Sequence, residues 1–166
     1  MNFNRISQAL FDPRGRANRK GLLVAAGAIM VVEVTGASLI WSGVNPSSAP
    51  IVLLKILFAW IAIAAVCKRL HDLGMSAWWL PAGVALEFIW TAVLAVSMFV
   101  SLGVEDMQPA ADGYKLMLSG CVAPIIAAIL WLQISEGQGG ANMYGPQPDA
   151  SGFSPGDGPM STIAMG

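Results

Sequence analysis

Four long apolar blocks constrain this chain more than any single motif does. They run from Gly21 to Gly43, from Ile51 to Cys67, from Ala77 to about Val104 and from Leu116 to Ile134. Apolar blocks of about 17 to 28 residues fit a bilayer, and the first, rising about 1.5 Å per residue, is long enough to cross a hydrocarbon core of about 30 Å. Only 11% of the residues are charged and 55% are hydrophobic, whereas a soluble domain carries roughly a quarter charged residues. The expected fold is therefore an all-α integral membrane protein, a four-transmembrane-helix bundle with spans at about 21–43, 49–67, 77–104 and 116–134. The second block is the shortest, but Ser47 to Pro50 can supply its outer turn and Lys55 can send its amine toward the headgroups. A cleaved signal peptide is the competing reading of the first block; its 23 residues exceed the apolar stretch of about 7 to 15 expected of such a signal.

The basic residues predict orientation. Arg5, Arg14, Arg16, Arg19 and Lys20 precede the first span, Lys68 and Arg69 follow the second, and only Lys115 lies in an opposite loop. The positive-inside rule then puts both termini in the cytoplasm. Residues 1–20 form a basic arm in which Phe3, Ile6 and Leu10 recur at helical spacing, so a short interfacial helix is expected, ended by Asp12-Pro13. Residues 135–149 read as a cytoplasmic docking loop. Residues 137–166 hold eight Gly and four Pro, and little apolar content follows Tyr144, so disorder is expected over 150–166. Between the last two spans, Glu105, Asp106 and Asp112 mark a solvated outer loop.

Cys67 and Cys121 fall at different membrane depths, too far apart for the Cα separation of about 7 Å that a disulfide allows, so two free thiols are expected. Cys67 and His71, four apart with Asp72 adjacent, could begin a metal site, but no cluster completes the four ligands a structural zinc site wants. No metal and no cofactor is expected.

Three polar segments stand out beside the spans: Arg14-Gly15-Arg16-Ala17-Asn18-Arg19-Lys20; Lys68-Arg69-Leu70-His71-Asp72-Leu73-Gly74-Met75-Ser76-Ala77-Trp78-Trp79; and Gly139-Gly140-Ala141-Asn142-Met143-Tyr144-Gly145-Pro146-Gln147-Pro148. All three map to the expected cytoplasmic surface. In order and spacing the trio resembles a bacterial inner-membrane family catalogued as domain of unknown function 805, whose pattern is a GRxxR segment, an RLHDxGxSGWW loop and a GxNxYGPDP end. The resemblance covers about residues 11 to 149. It implies a small multi-span inner-membrane protein and transfers no established activity. The chain departs from the pattern at Met75 (usually Arg), Ala77 (usually Gly), Leu22 and Leu23 (usually aromatic nearby) and Gln147 (usually an acid).

Each motif has two readings. Gly74 can end span two in a left-handed conformation, Ser76 can cap span three, and Trp78 and Trp79 suit the interfacial belt. Arg69 could pair with Asp72 and His71 could bond a loop carbonyl, or His71 could instead be a titrating group held by a nearby acid. Arg14, Arg16 and Arg19 can fix topology and attract anionic lipid, or clamp a phosphate or carboxylate around Gly15. Asn142 and Tyr144 suit a folded turn docking over the other two motifs. Taken together, Arg14, Arg16, Arg19, Arg69, His71, Asp72, Asn142 and Tyr144 form the candidate ligand- or lipid-binding set.

Glu33, Lys55 and Glu87 are expected at roughly 18, 20 and 15 Å along their helices from the cytoplasmic side. A lone charge at the membrane centre costs at least about 2.5 to 3.5 kcal/mol, so an intramembrane cluster of the three is expected, serving either as interhelical glue, the favoured reading, or as a proton or ion relay. Ser119, Ala123 and Ala127 give span four a small-residue stripe, Pro124 is expected to bend it, and Trp60 and Trp90 are read as packing residues. No nucleotide-binding glycine loop, nucleophile elbow or metalloprotease helix is present, and a single histidine leaves few options for acid–base chemistry. The sequence therefore predicts a non-enzymatic inner-membrane protein. Its partners would be anionic membrane lipids, a small ligand, a second copy or another membrane protein, with no nucleic acid; a small transporter or channel using the buried charges is the alternative.

Overall fold

The computed structural model describes residues 10–108 and 111–154. Among them the chain is helical: α1 Arg19–Trp41, α2 Ala49–Asp72, α3 Trp79–Leu102, a short 3-10 turn Glu105–Met107, and α4 Asp112–Ile134. All four α-helices are long and apolar enough to cross a membrane. The chain divides into two units, residues 1–77 with 136–166, and residues 78–135.

In the first unit α1 and α2 form a helical hairpin. Asn18 starts α1: its Oδ1 accepts from the backbone N–H of Lys20 at 2.9 Å and of Gly21 at 3.1 Å, satisfying two of the orphan donors at a helix start. That cap moves the helix start to Arg19, two residues before the apolar block. Ala25 of α1 and Ile51, Ile61, Ala64, Ala65, Cys67 and Leu70 of α2 are buried, so small and branched aliphatic side chains fill the seam. Along the flank of α2, the Trp60 Nε1–H donates to Phe11 O at 2.8 Å.

Helix α2 runs to Asp72, five residues past the apolar block, and thus carries Lys68, Arg69, His71 and Asp72 on its last turns rather than in a loop. Its end is a Schellman motif: Met75 N–H donates to Leu70 O at 2.8 Å and Gly74 N–H to His71 O at 3.0 Å, with Gly74 at φ +76°. Only glycine takes that conformation without strain. The expected role of Gly74 matches this geometry, whereas α3 starts later than expected, with Trp78 rather than Ser76 at its N-cap position.

The second unit is the hairpin of α3 and α4. Helix α4 begins at Asp112, four residues before its apolar block, and contains Pro124. Proline has no N–H for the carbonyl four residues earlier, which is Gly120 O; Trp90 Nε1–H donates to that carbonyl at 3.0 Å. Trp90, read from sequence as a packing residue, thus also serves a carbonyl that Pro124 cannot. No residue of α3 is buried, and side chains such as Phe88 and Val100 are about three-quarters exposed, at 76% and 77%, as suits contact with lipid tails rather than water.

Phe3 and Ile6 of the expected interfacial helix lie outside the described residues; Leu10 and Phe11 are helical. Disorder was expected from residue 150 on, yet residues 150–154 have a defined course against the N-terminal arm, as described below. Residues 155–166 lie outside the described residues. Cys67 and Cys121 are both free thiols.

Candidate functional site

The three polar motifs converge in the first unit, where the arm before α1, the end of α2 and residues 136–154 meet. At the centre is Asp72, which closes α2 and is 3% exposed. Its Oδ1 accepts from Arg16 Nε at 3.1 Å and Arg16 Nη2 at 2.9 Å, while its Oδ2 pairs with Arg69 Nη1. Arg16 has no exposed surface and Arg69 is 1% exposed.

The remaining Arg16 donors go to backbone: Nη1 to Gly140 O and Nη2 to Gln138 O, each at 2.5 Å. Two guanidinium groups on one carboxylate leave a buried excess of positive charge, which the carbonyl oxygens of Gly140 and Gln138 help to offset. The Gly15 between two arginines, with φ +79°, turns the arm so that Arg16 points inward.

His71 sits one position from Asp72 but has other partners. Its Nδ1–H donates to Gly15 O at 3.0 Å, which fixes the proton on Nδ1 of the neutral ring. The ring stacks on Tyr144 with centroids 4.1 Å apart and planes 7° from parallel. Asn142 Nδ2–H donates to His71 O at 2.9 Å and to Gln138 Oε1 at 3.0 Å, and Asn142 Oδ1 accepts Tyr144 N–H at 2.9 Å. Gln147, where the resemblance expects an acid, accepts Gly140 N–H at 3.2 Å through Oε1. Gln138 N–H donates to Asp72 O at 2.8 Å, so the segment after Ser135 is sewn directly to the end of α2.

A strap of residues 149–154 completes the site. Ser154 N–H donates to Arg16 O at 2.9 Å and Asn18 N–H to Gly152 O at 3.0 Å, while Ser154 Oγ accepts Arg16 N–H at 2.8 Å. Phe153 is buried against Ala17, and Lys68 Nζ stands 5.3 Å above its ring centroid, within range of a cation–π contact. Gly21 and Gly152 lie face to face: a Cβ on either would collide with backbone of the other. Sequence reasoning missed Phe153, Ser154, Lys68 and Gln138. Phe153 is the one aromatic residue after Tyr144, and that was the available signal.

Of the other residues singled out from sequence, Arg14 is exposed, with its backbone N–H on Asp12 Oδ1 at 2.9 Å. The exposed Arg19 reaches Glu136 at 3.8 Å. Glu33 and Lys55 line a cavity of about 130 Å³ between α1 and α2. Glu87 belongs to the second unit, where Thr91 Oγ1 donates to it at 3.4 Å. Among the described residues, no group of three or more His, Cys, Asp or Glu side chains is placed to hold a metal ion.

Beside the arginine–aspartate network a cleft of about 410 Å³ opens, lined by the basic Arg19, Lys20 and Arg69, the acidic Asp72, Glu136 and Asp149, and the amides Gln138 and Gln147 among others. The family model described as Protein of unknown function (DUF805) matches residues 10–146. The chain belongs to the DUF805 family. No curated protein and no solved structure matches it. In this DUF805 chain the match takes in all of the arginine–aspartate–histidine–tyrosine network and stops before the strap.

Proposed function

We propose that this is a non-enzymatic multi-pass protein of the bacterial inner membrane, with both termini in the cytoplasm, whose cytoplasmic cap holds an anionic lipid headgroup in the cleft beside the Arg16–Asp72–Arg69 network. The observation that carries the reading is the cleft itself. It opens at the first turn of α1 with the exposed side chains of Arg19 and Lys20 on its wall, next to a carboxylate already engaged by two guanidinium groups.

The buried network divides the labour differently from the division the sequence suggested. Arg16, Arg69, His71, Asp72, Asn142 and Tyr144 bond one another or nearby backbone, so they act as the frame that shapes the cleft. The direct contacts to an anion fall to Arg19 and Lys20, whose place at the end of an apolar helix suits the headgroup region of an anionic leaflet. A phosphate there gains charge-assisted hydrogen bonds from a guanidinium fork.

The test is native mass spectrometry of protein released from nanodiscs containing phosphatidylglycerol and phosphatidylcholine. Wild type is expected to retain phosphatidylglycerol at a defined stoichiometry, and an Arg19→Ala, Lys20→Ala double variant to lose it. Equal retention of both lipids by wild type, or unchanged selectivity in the variant, would overturn the reading.

A further inference from the structure

Glu33 and Lys55 share one cavity of about 130 Å³ on the α1–α2 hairpin, together with Gly36, Ile51 and Leu54. Counting from the end of the hairpin where Arg19 and Asp72 lie, Glu33 is about 21 Å and Lys55 about 25 Å along its helix at about 1.5 Å per residue. Both therefore lie within the apolar length of a span. Both side chains are exposed, and among the described residues neither has an oppositely charged group within ion-pair distance. Charges at that depth face a bundle interior, water or a charged partner, because hydrocarbon does not solvate them. A Cβ added to Gly36 on the same face would meet no atom within 4 Å, so a neighbouring helix has room to approach closely there, as small residues permit between membrane helices.

We propose that this face is the interface of a homodimer, in which Glu33 of each copy pairs with Lys55 of the other. The argument is symmetry. A two-fold axis along the membrane normal preserves depth, so α1 of one copy can lie against α2 of the other with the acid opposite the base only if both stand at nearly the same depth. They differ by about 4 Å along the helix axes, which a lysine side chain spans. A face carrying one acid and one base side by side is complementary to itself, as an isologous interface requires. This inference is independent of the lipid cleft and stands if that reading fails.

The experiment uses two differently tagged full-length copies, each bearing one charge reversal, in nanodiscs of fixed lipid-to-protein ratio. Wild type is expected to be dimeric by native mass. Glu33→Lys alone and Lys55→Glu alone should each lower the dimer fraction by at least about tenfold, since each places like charges across both seams. Co-expressed, the two variants should form a mixed dimer, because one copy then presents two bases and the other two acids. A monomeric wild type, an unchanged dimer in either single variant, or rescue only when both reversals are in one chain would overturn the proposal; the last result would mean that the two charges pair within a copy.

Should the reversed charges prevent insertion, crosslinking supplies the second measurement. In a Cys67→Ser, Cys121→Ser background, one tagged copy carries Gly36→Cys and the other Leu54→Cys. Mild oxidation is expected to join the two tags, and failure to do so under conditions that crosslink a known membrane dimer would overturn the interface.

Discussion

Arg16 places two donors on one oxygen of Asp72, Nε at 3.1 Å and Nη2 at 2.9 Å, although 56 positions separate them in the chain. Both residues are nearly inaccessible, so removing either partner strands a buried charge. Arg16→Ala and Asp72→Asn are each expected to destabilise the first unit by about 3 to 5 kcal/mol, read as a lowered unfolding midpoint in detergent titration. Arg16→Lys should recover little, since a lysine cannot reproduce the guanidinium fork. The paired Arg16→Met, Asp72→Leu variant should cost clearly less than the sum of its single changes; an additive result would mean that the pair is not coupled.

The stack of His71 on Tyr144 makes a separate prediction. Tyr144→Phe keeps the ring and should leave stability within about 0.5 kcal/mol, whereas Tyr144→Leu loses an aromatic contact of about 0.5 to 1.5 kcal/mol. The imidazole resonances of His71 provide the local readout: the ring-current shift should persist in Tyr144→Phe and vanish in Tyr144→Leu. A shift that survives in the leucine variant would contradict the stack.

How much of this was legible in the sequence depends on whether a feature is local. Apolar block length identified four helices, and the residues of the three motifs were visible as polar segments beside the spans. Gly74 could be read as a helix end because a left-handed glycine after a basic last turn is a local signal. Helix limits slipped where local chemistry outran hydropathy: α2 carries Lys68, Arg69 and Asp72 beyond the apolar block because the last turn is stabilised by its network, which hydropathy does not register. The roles inside the motif were legible where the contact is local, as in the pairing of Arg69 with Asp72 one helical turn on, and not where it is long-range. That Arg16 rather than Arg14 turns inward onto Asp72 depends on a contact between segments 56 residues apart. The strap was missed because what fixes it, one aromatic side chain, two facing glycines and hydrogen bonds to Arg16 and Asn18, joins it to residues more than 130 positions away from within a composition that reads as disordered.

That strap is expected to respond to changes at either end. Gly21→Ala puts a methyl group into the Gly152 carbonyl, and Phe153→Ala removes the buried ring over Ala17. Both should release residues 149–154 without unfolding the hairpin, because the arginine–aspartate pair and the α1–α2 seam are untouched. Amide hydrogen exchange at Asn18 and Ser154, whose N–H groups are bonded to Gly152 O and Arg16 O, should accelerate by at least about tenfold, a loss of roughly 1.4 kcal/mol of local protection. Exchange that stays slow in both variants would mean that the strap is held by something other than these contacts.

The second unit offers a test that does not involve the motifs. Gly120 O lacks its usual helical donor because residue 124 is proline, and Trp90 Nε1–H occupies it at 3.0 Å. If that bond matters, Trp90→Phe leaves a carbonyl unsatisfied in a lipid environment and costs about 0.6 to 2 kcal/mol. In the Pro124→Ala background the helix can supply its own N–H, so the same Trp90→Phe change should lose most of its cost apart from the difference in ring size. The double-mutant cycle isolates the interaction. A Trp90→Phe penalty that is equal in both backgrounds would show that the indole contributes packing alone and that Gly120 O is satisfied by its own helix.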